Sequence, residues 1–201
     1  VGSEMCIRDR SDVAPGTFHH SLQVANLAEA AANEIGANGL LVRVGALYHD
    51  IGKMKNPTYF SENQKNETSP HHELTPSQSA AIIVRHVREG INLAKKFNLP
   101  ERIIDFIRTH HGTSLVYYFY KQAQDQNQEQ AVDPEPFQYP GPKPFSKETA
   151  ILMMADAVEA ASKSLKAANL KIIESFVTQI VQKQLDEGQF SHSNITLLEI
   201  E

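Results

Sequence analysis

Apolar residues recur every three or four positions along most of this chain, the spacing expected of helices that bury one face. Residues 20–35 show the pattern clearly, with Val24, Leu27, Ala28, Ala31 and Ile35. Gly36 and Gly39 interrupt it, and a second predicted helix runs over about residues 40–50. The short turn between them predicts an antiparallel helix pair.

Helix-start signals mark the later segments. Residues 75–78 (Thr-Pro-Ser-Gln) combine an N-cap, a first-turn proline and a capping-box glutamine. Another helix follows Pro100, one runs from Ser146 to about residue 165, and a last amphipathic helix spans residues 169–188. Only the tail at 195–200 resembles a strand. The pattern predicts an all-α single domain of about seven helices.

Three segments lack this periodicity. Residues 1–10 (VGSEMCIRDR) look artefactual and non-native, so they are set aside. Residues 53–75 are polar and predict a flexible loop beside the site, as a lid or substrate wall; residues 122–146 are rich in Gln and Pro and predict a flexible, extended connector. We therefore expect a domain over 11–190 and a tail over 191–201, in a sequence that is itself a fragment.

Composition narrows the class of protein. The 201 residues suit one domain, and 41% hydrophobic with 21% charged residues is ordinary for a globular protein. No apolar run reaches the roughly 18 residues of a membrane span, so no membrane insertion is expected. The lone Cys6 excludes an internal disulfide framework and fits a reducing, cytoplasmic compartment. A net charge of -5 argues against DNA or RNA polymers as partners.

Candidate chemistry centres on His49-Asp50, which ends an apolar helical run. Imidazole and carboxylate both bind divalent metals, and a carboxylate can bridge two. A lone histidine such as His86 on an apolar face is more often a core residue, and a buried Asp156 could pair with an arginine instead of a metal. Together, five histidines and two carboxylates nevertheless predict a two-metal site: His20, His49, Asp50, His86, His110, His111 and Asp156.

Mixed nitrogen and oxygen ligands favour iron or manganese over magnesium or structural zinc. Asp50 is the expected bridge, with His20, His49 and Asp156 on one metal and His86, His110 and His111 on the other. Two metals about 3.5–4 Å apart can hold a hydroxide that attacks a phosphate ester. Lys53 could contact a phosphate oxygen or the leaving group, or could simply be a solvated lysine at a helix end.

Over about residues 15–190 the chain resembles the catalytic domain of the seven-transmembrane HD family, within the HD phosphohydrolase superfamily. The motifs that carry the resemblance are Pro15-Gly16-Thr17 with His20-Ser21, His49-Asp50-Ile51-Gly52-Lys53, Ser61-Glu62-Asn63-Gln64, Glu73-Leu74-Thr75-Pro76 and His110-His111-Gly112-Thr113. That family comprises bacterial phosphodiesterases that open cyclic di-AMP to linear pApA at a di-iron or manganese site.

The resemblance implies that all seven candidate ligands occupy metal-binding positions. Asp50 and Lys53 are the candidate catalytic residues. Lys53 and Thr113 are the candidate substrate contacts. It also implies an extracellular domain and membrane helices upstream, so that this part would be the cytosolic domain of a bacterial inner-membrane protein. One departure is His72, where relatives generally carry an acid. Both His71 and His72 are interpreted as exposed polar residues of a flexible loop.

Alternative functions remain open on sequence alone. A cyclic di-GMP phosphodiesterase of the HD-GYP type would carry Gly-Tyr-Pro after its paired histidines, whereas residues 112–114 are Gly-Thr-Ser. A single-metal HD nucleotidase would leave His86, His110 and His111 without a metal role. A non-catalytic nucleotide sensor could keep the fold without turnover. The residues fix neither the base that is recognised nor the oligomeric state, for which a homodimer is one option.

Overall fold

The structure is a computed structural model that describes residues 11–64, 69–127, 130–165 and 169–200. Residues 1–10, predicted to be artefactual, lie outside them. In these ranges there is no β-strand, and the α-helices are α1 (Pro15–Glu34), α2 (Gly39–Tyr48), α3 (Pro76–Lys96), α4 (Glu101–Thr109), α5 (Tyr117–Gln126), α6 (Lys147–Ser162), α7 (Leu170–Asp186) and the short α8 (Leu197–Ile200). The prediction of an all-α fold with about seven helices is confirmed.

Helices α1, α2, α4 and α6 share one core. Small side chains of α1 face larger ones of its neighbours in a buried cluster that includes Val24, Ala28, Val42, Phe106, Ile151 and Leu152. Gly45 of α2 allows this close packing, because a Cβ there would lie 2.3 Å from the Phe106 ring. The same core holds α1, α2 and α6 against one another.

The predicted helix starts are confirmed at three positions. The Thr75 hydroxyl accepts a hydrogen bond from the Gln78 backbone N–H, and the Gln78 side-chain oxygen accepts one from the Thr75 backbone N–H, which completes a capping box. Ser146 begins α6 in the same way. Asn169 caps α7, and Gly188 follows its end in a left-handed conformation with φ 65°.

Two local predictions were wrong. Residues 122–126 are not extended but continue α5, because Phe119 and Ala123 lie one turn apart and are both buried. The tail forms the helix Leu197–Ile200 rather than a strand. In the polar segment predicted as a flexible loop over residues 53–75, the described residues form short 3₁₀ turns, of which the first begins just before it: Ile51–Lys55, Pro57–Tyr59, Ser61–Asn63 and Pro70–Glu73.

Among the residues that the structure describes, no helix combines the length and apolar character needed to cross a membrane.

Candidate metal centre

The His-Asp turn lies where α2 ends and the chain reverses toward α3. His49 follows the last residue of α2, and Asp50 precedes the 3₁₀ turn Ile51–Lys55. Gly52 allows this turn to lie directly against α3, since a Cβ at Gly52 would be 1.8 Å from the carbonyl oxygen of His86. The turn therefore brings Asp50 beside a histidine that is distant in sequence.

One group of candidate ligands joins the first, second and sixth helices. The ligand atoms of His20, His49 and Asp156 all lie within 4.8 Å of one another. His20 Nε2 is 2.9 Å from Asp156 Oδ1, and His49 Nε2 is 3.5 Å from the same oxygen. All three side chains are buried, so their polar atoms face each other instead of water.

A second group forms around Asp50, with ligand atoms of His86, His110 and His111 within the same 4.8 Å limit. His86 Nε2 and His110 Nε2 lie 3.3 and 3.5 Å from Asp50 Oδ1. His111 is the most exposed of the four, and its Nδ1 lies 3.9 Å from Asp156 Oδ2. The structure thus brings all seven predicted residues together, in the two sets that sequence reasoning suggested.

The two oxygens of Asp50 face different groups. Oδ2 lies 3.3 Å from His49 Nε2 and 3.7 Å from His20 Nε2. Oδ1 instead faces His86 and His110 of the second group. A single carboxylate therefore separates the two sets of nitrogen atoms, as a bridging ligand would.

Three of the histidines are oriented by backbone carbonyls. Nδ1 of His49, His86 and His110 lies 2.7, 2.6 and 2.9 Å from the carbonyl oxygen three residues earlier. Each Nδ1–H can donate to that oxygen, which leaves the Nε2 lone pair directed into the cluster. Metal-binding histidines commonly show this arrangement, because the hydrogen bond fixes the tautomer and the ring orientation.

The same tautomers leave polar atoms that need a cation. His86 Nε2 and His110 Nε2 lie 3.1 Å apart, so two lone pairs face each other when both Nδ1 atoms carry the proton. His49 Nε2 and Asp50 Oδ1 are buried and have no hydrogen-bond partner. Burying such atoms unpaired is costly. The cluster of histidine and aspartate side chains is therefore able to bind metal ions.

Charge in the cluster favours a cation beside the carboxylates. Burial works against a charge on Asp50, yet Lys53 and His49 beside it hold its pKa well below the usual range. Burial likewise opposes a charge on His49, but Asp50 and Asp156 outweigh it and raise the His49 pKa to about 10. These carboxylates are ionised and stabilise positive charge between them, whether a proton or a metal ion carries it.

The paired histidines show a pKa shift opposite to that of His49. Burial lowers the pKa of His110, and it holds the pKa of His111 well below its usual range. Both rings are therefore neutral near pH 7. Neutral imidazole is the form that binds metal ions.

Lys53 is held at the edge of the cluster. Its Nζ lies 2.7 Å from Asp50 Oδ2 and 2.9 Å from Glu62 Oε1, and Thr17 Oγ1 donates to that Glu62 oxygen at 3.1 Å. Burial opposes its charge, but Asp50 and Glu62 outweigh burial and raise the Lys53 pKa. The alternative of a solvated lysine is wrong, because the side chain is only 13% exposed.

Sequence reasoning missed two residues at the site. Glu159 accepts a hydrogen bond from His20 Nδ1–H and also lies 3.1 Å from Lys163 Nζ. It follows Asp156 by three positions in α6, so helical spacing could have revealed it. Tyr139 stacks on His111 with ring centroids 4.2 Å apart. It lies among the prolines of residues 134–144, where no pattern indicated a site residue.

Thr113, the other candidate substrate contact, bonds to Gln189 and not to any of the seven candidate metal ligands. Its backbone N–H and its hydroxyl both donate to Gln189 Oε1, at 3.0 and 3.3 Å. Gln189 is buried, so this contact ties the turn after His111 to the segment that follows α7. A substrate contact by Thr113 stays a prediction.

The class of protein is defined by an all-α fold in which a His-Asp turn and spaced histidines form two groups of candidate metal ligands. The chain belongs to the HD-domain family, whose model matches residues 17–161. The resemblance seen in the sequence is thereby confirmed.

Among its relatives is the cyclic-di-AMP phosphodiesterase PgpH of Bacillus subtilis, 48% identical over 93% of this chain and 26% of that protein. PgpH of Listeria monocytogenes is 47% identical with the same coverage. The crystal structure of the Listeria PgpH HD domain in complex with cyclic-di-AMP matches with a TM-score of 0.93 and 45% identity, over 97% of this chain and 90% of that one. The chain spans about a quarter of the length of these curated relatives.

Proposed function

We propose that this domain is a metal-dependent phosphodiesterase that hydrolyses cyclic di-AMP to linear pApA. The proposal rests most heavily on Asp50, whose two oxygens each face a separate set of histidines. Relatives named as cyclic-di-AMP phosphodiesterases, and a solved HD domain in complex with this dinucleotide, support the choice of substrate. In the whole protein, we propose, this part is the cytosolic domain of a bacterial inner-membrane enzyme.

Two transition-metal ions would be held by the seven side chains. We assign His20, His49 and Asp156 to one ion and His86, His110 and His111 to the other, with Asp50 between them. Five imidazoles with two carboxylates fit iron or manganese, since magnesium prefers oxygen ligands and structural zinc is commonly four-coordinate. When bound, such a pair lowers the pKa of water and neutralises charge on a phosphoryl group.

The reaction forms one phosphorus–oxygen bond to water and breaks the bond from phosphorus to a ribose 3′ oxygen. The departing oxygen gains a proton, and the product keeps a 5′ phosphate. Hydrolysis of one of the two diesters opens the ring to linear pApA.

Lys53 is the residue of this chain best placed to assist that step. Its ammonium is charged, largely shielded from solvent and 2.7 Å from Asp50 Oδ2. A cation at this position can donate a hydrogen bond to a non-bridging phosphate oxygen or to the leaving oxygen. Glu62, 2.9 Å from Nζ, keeps the ammonium directed along the edge of the site.

The proposal is tested by product analysis on the manganese-loaded protein and on Asp50→Ala. Cyclic di-AMP, cyclic di-GMP and linear dinucleotides are supplied separately, with metal content measured in parallel. We expect two ions per chain, pApA from cyclic di-AMP, and loss of turnover in Asp50→Ala with its helical circular dichroism intact. Near-normal turnover in Asp50→Ala would refute the bridging role.

The same experiment separates the alternatives. One ion per chain, with neither cyclic dinucleotide opened, favours a single-metal nucleotidase. Preferential opening of cyclic di-GMP favours that specificity. Binding of cyclic di-AMP without product indicates a nucleotide sensor.

A further inference from the structure

Four of the five candidate histidine ligands have a ring nitrogen fixed by a hydrogen bond, either to a backbone carbonyl or to Glu159. His111 is the exception. Within the described part of the chain neither of its ring nitrogens makes a hydrogen bond, and Nδ1 lies 3.9 Å from Asp156 Oδ2. Its side chain is also the most exposed of the five, at 25%. A ligand ring that is free to rotate loses that freedom when a metal ion binds, which lowers the affinity. His111 therefore depends on a different kind of contact.

Tyr139 supplies a contact that can restrain this ring. The Tyr139 ring stacks on the His111 imidazole, with centroids 4.2 Å apart and an angle of 26° between the two planes. His110 is as close, at 4.0 Å, but its ring is tilted by 45° and it is itself a candidate ligand. Tyr139 is only 6% exposed, so its own ring is held by the surrounding protein. An aromatic ring stacked on one face of the imidazole opposes rotation out of that plane.

The backbone holds Tyr139 beside the turn that follows His111. Tyr139 N–H donates to the carbonyl oxygen of Ser114 at 2.9 Å. Val116 N–H donates to the carbonyl oxygen of Phe137 at 2.8 Å. These two bonds form a short antiparallel bridge between the two segments. The rings of Tyr139 and His111 are thus carried by two stretches of chain that are bonded to each other, which fixes their separation.

We propose that Tyr139 is a positioning residue of the metal centre: by stacking, its ring holds His111 in the orientation that binds a metal ion. The inference rests on the proposed function, because it takes His111 to be a ligand. The hydroxyl has no part in this role, so a phenylalanine ring at the same position should serve as well. The proline-rich segment thereby contributes to the centre through a residue that is not itself a ligand.

The test is a manganese titration of metal-stripped protein, read by bound metal per chain, for wild type, Tyr139→Leu and Tyr139→Phe. Leucine is apolar but has no flat ring, whereas phenylalanine keeps the ring and lacks only the hydroxyl. We expect Tyr139→Leu to weaken the binding of one of the two ions by about five- to tenfold, as for the loss of an aromatic pair. We expect Tyr139→Phe to change neither affinity by more than about twofold, since the stack is kept. Tyr117→Leu is the matched control, because Tyr117 is 57% exposed and its ring contacts Lys183 rather than a candidate ligand.

A spectroscopic measurement reads the stack directly. In metal-stripped protein with isotopically labelled histidine, the ring current of Tyr139 should shift the ring-proton resonances of His111 upfield. We expect this upfield shift in wild type and in Tyr139→Phe, and its loss in Tyr139→Leu. A general loss of stability lowers the melting temperature but does not produce this pattern among the three proteins.

A second variant guards against misfolding at position 139. Tyr139→Met places a flexible apolar side chain in the space of the ring but offers no flat face. It should therefore weaken the same ion by a similar factor, with helical circular dichroism unchanged. If Tyr139→Leu fails to fold, Tyr139→Met decides the question.

The outcomes separate the inference from the function. A wild-type protein that binds two ions, with unchanged affinities in Tyr139→Leu and Tyr139→Met, overturns the positioning role and leaves the proposed function standing. An equal loss in Tyr139→Phe and Tyr139→Leu also overturns it, because the hydroxyl would then carry the effect. A wild-type protein that binds no manganese overturns the proposed function, and the role of Tyr139 with it.

Discussion

Glu159 offers a sharp test of the metal centre, because it contacts a candidate ligand without being one. Its carboxylate accepts a hydrogen bond from His20 Nδ1–H, and both side chains are buried. The contact fixes the ring so that His20 Nε2 faces Asp156. Carboxylate–histidine pairs of this kind orient metal ligands and increase their basicity. Glu159→Gln preserves the size of the side chain but replaces the carboxylate with a neutral amide.

The expected magnitude follows from this role. Changing such an outer contact typically costs about 10–100-fold in metal affinity or activity. That range corresponds to about 1.4–2.7 kcal/mol at one metal ion. We expect the effect to fall on the ion held by His20, His49 and Asp156, since Glu159 has no described contact with the second group.

The assay is a manganese titration of metal-stripped protein, read by bound metal per chain and by turnover at each free-metal concentration. Lys163→Met is the matched control, because it removes the 3.1 Å ion pair to Glu159 but leaves the contact with His20. We expect less than about a threefold change in the control, as for a surface ion pair. Equal affinities in Glu159→Gln and wild type would show that Glu159 does not position His20.

Lys53→Ala should lower turnover by roughly 100-fold with metal content unchanged, because the ammonium that donates to the reacting phosphate is lost. A loss of turnover as large as in Asp50→Ala would show that the role of Lys53 is underestimated. Gly52→Ala should destabilise the fold by about 3 kcal/mol or more, because the new Cβ would lie 1.8 Å from the His86 carbonyl oxygen. The melting temperature should fall accordingly, and an unchanged melting temperature would contradict that geometry. The third prediction concerns pH: the hydrogen bond from Lys147 lowers the pKa of Glu199 from 4.5 to about 2. The wild-type protein should therefore melt at a higher temperature than Glu199→Gln above about pH 4.5, and this difference should vanish as the pH falls toward 2. Melting curves at several pH values measure the difference. A difference that persists at pH 2 would exclude this linkage.

Helix positions were predictable because their signals are local. The capping boxes at Thr75 and Ser146 depend on residues three positions apart, and the buried faces follow from apolar spacing. The α5 segment failed for an identifiable reason. Its glutamines suggested low complexity, while Phe119 and Ala123, which lie before and among them, supplied a buried face.

The candidate ligands were predictable by type but not by contact. Residue chemistry suggested seven side chains, whereas the division of the Asp50 oxygens between two groups requires the folded structure. Tyr139 was missed because its contact with His111 depends on the path of a proline-rich segment. The half-buried position of His71 was missed because it depends on Tyr59 and Phe119, which come from separate elements.

His20 and Asp156 are in contact although they lie 136 positions apart in the chain. A metal ion shared by these residues would act as a cross-link between the first and sixth helices and would close a long loop of polypeptide. No fragment that ends before α6 could retain the first group of ligands. Metal content therefore reports on the integrity of the whole domain, and a preparation cleaved and separated within the preceding connector would reveal itself by its loss of metal.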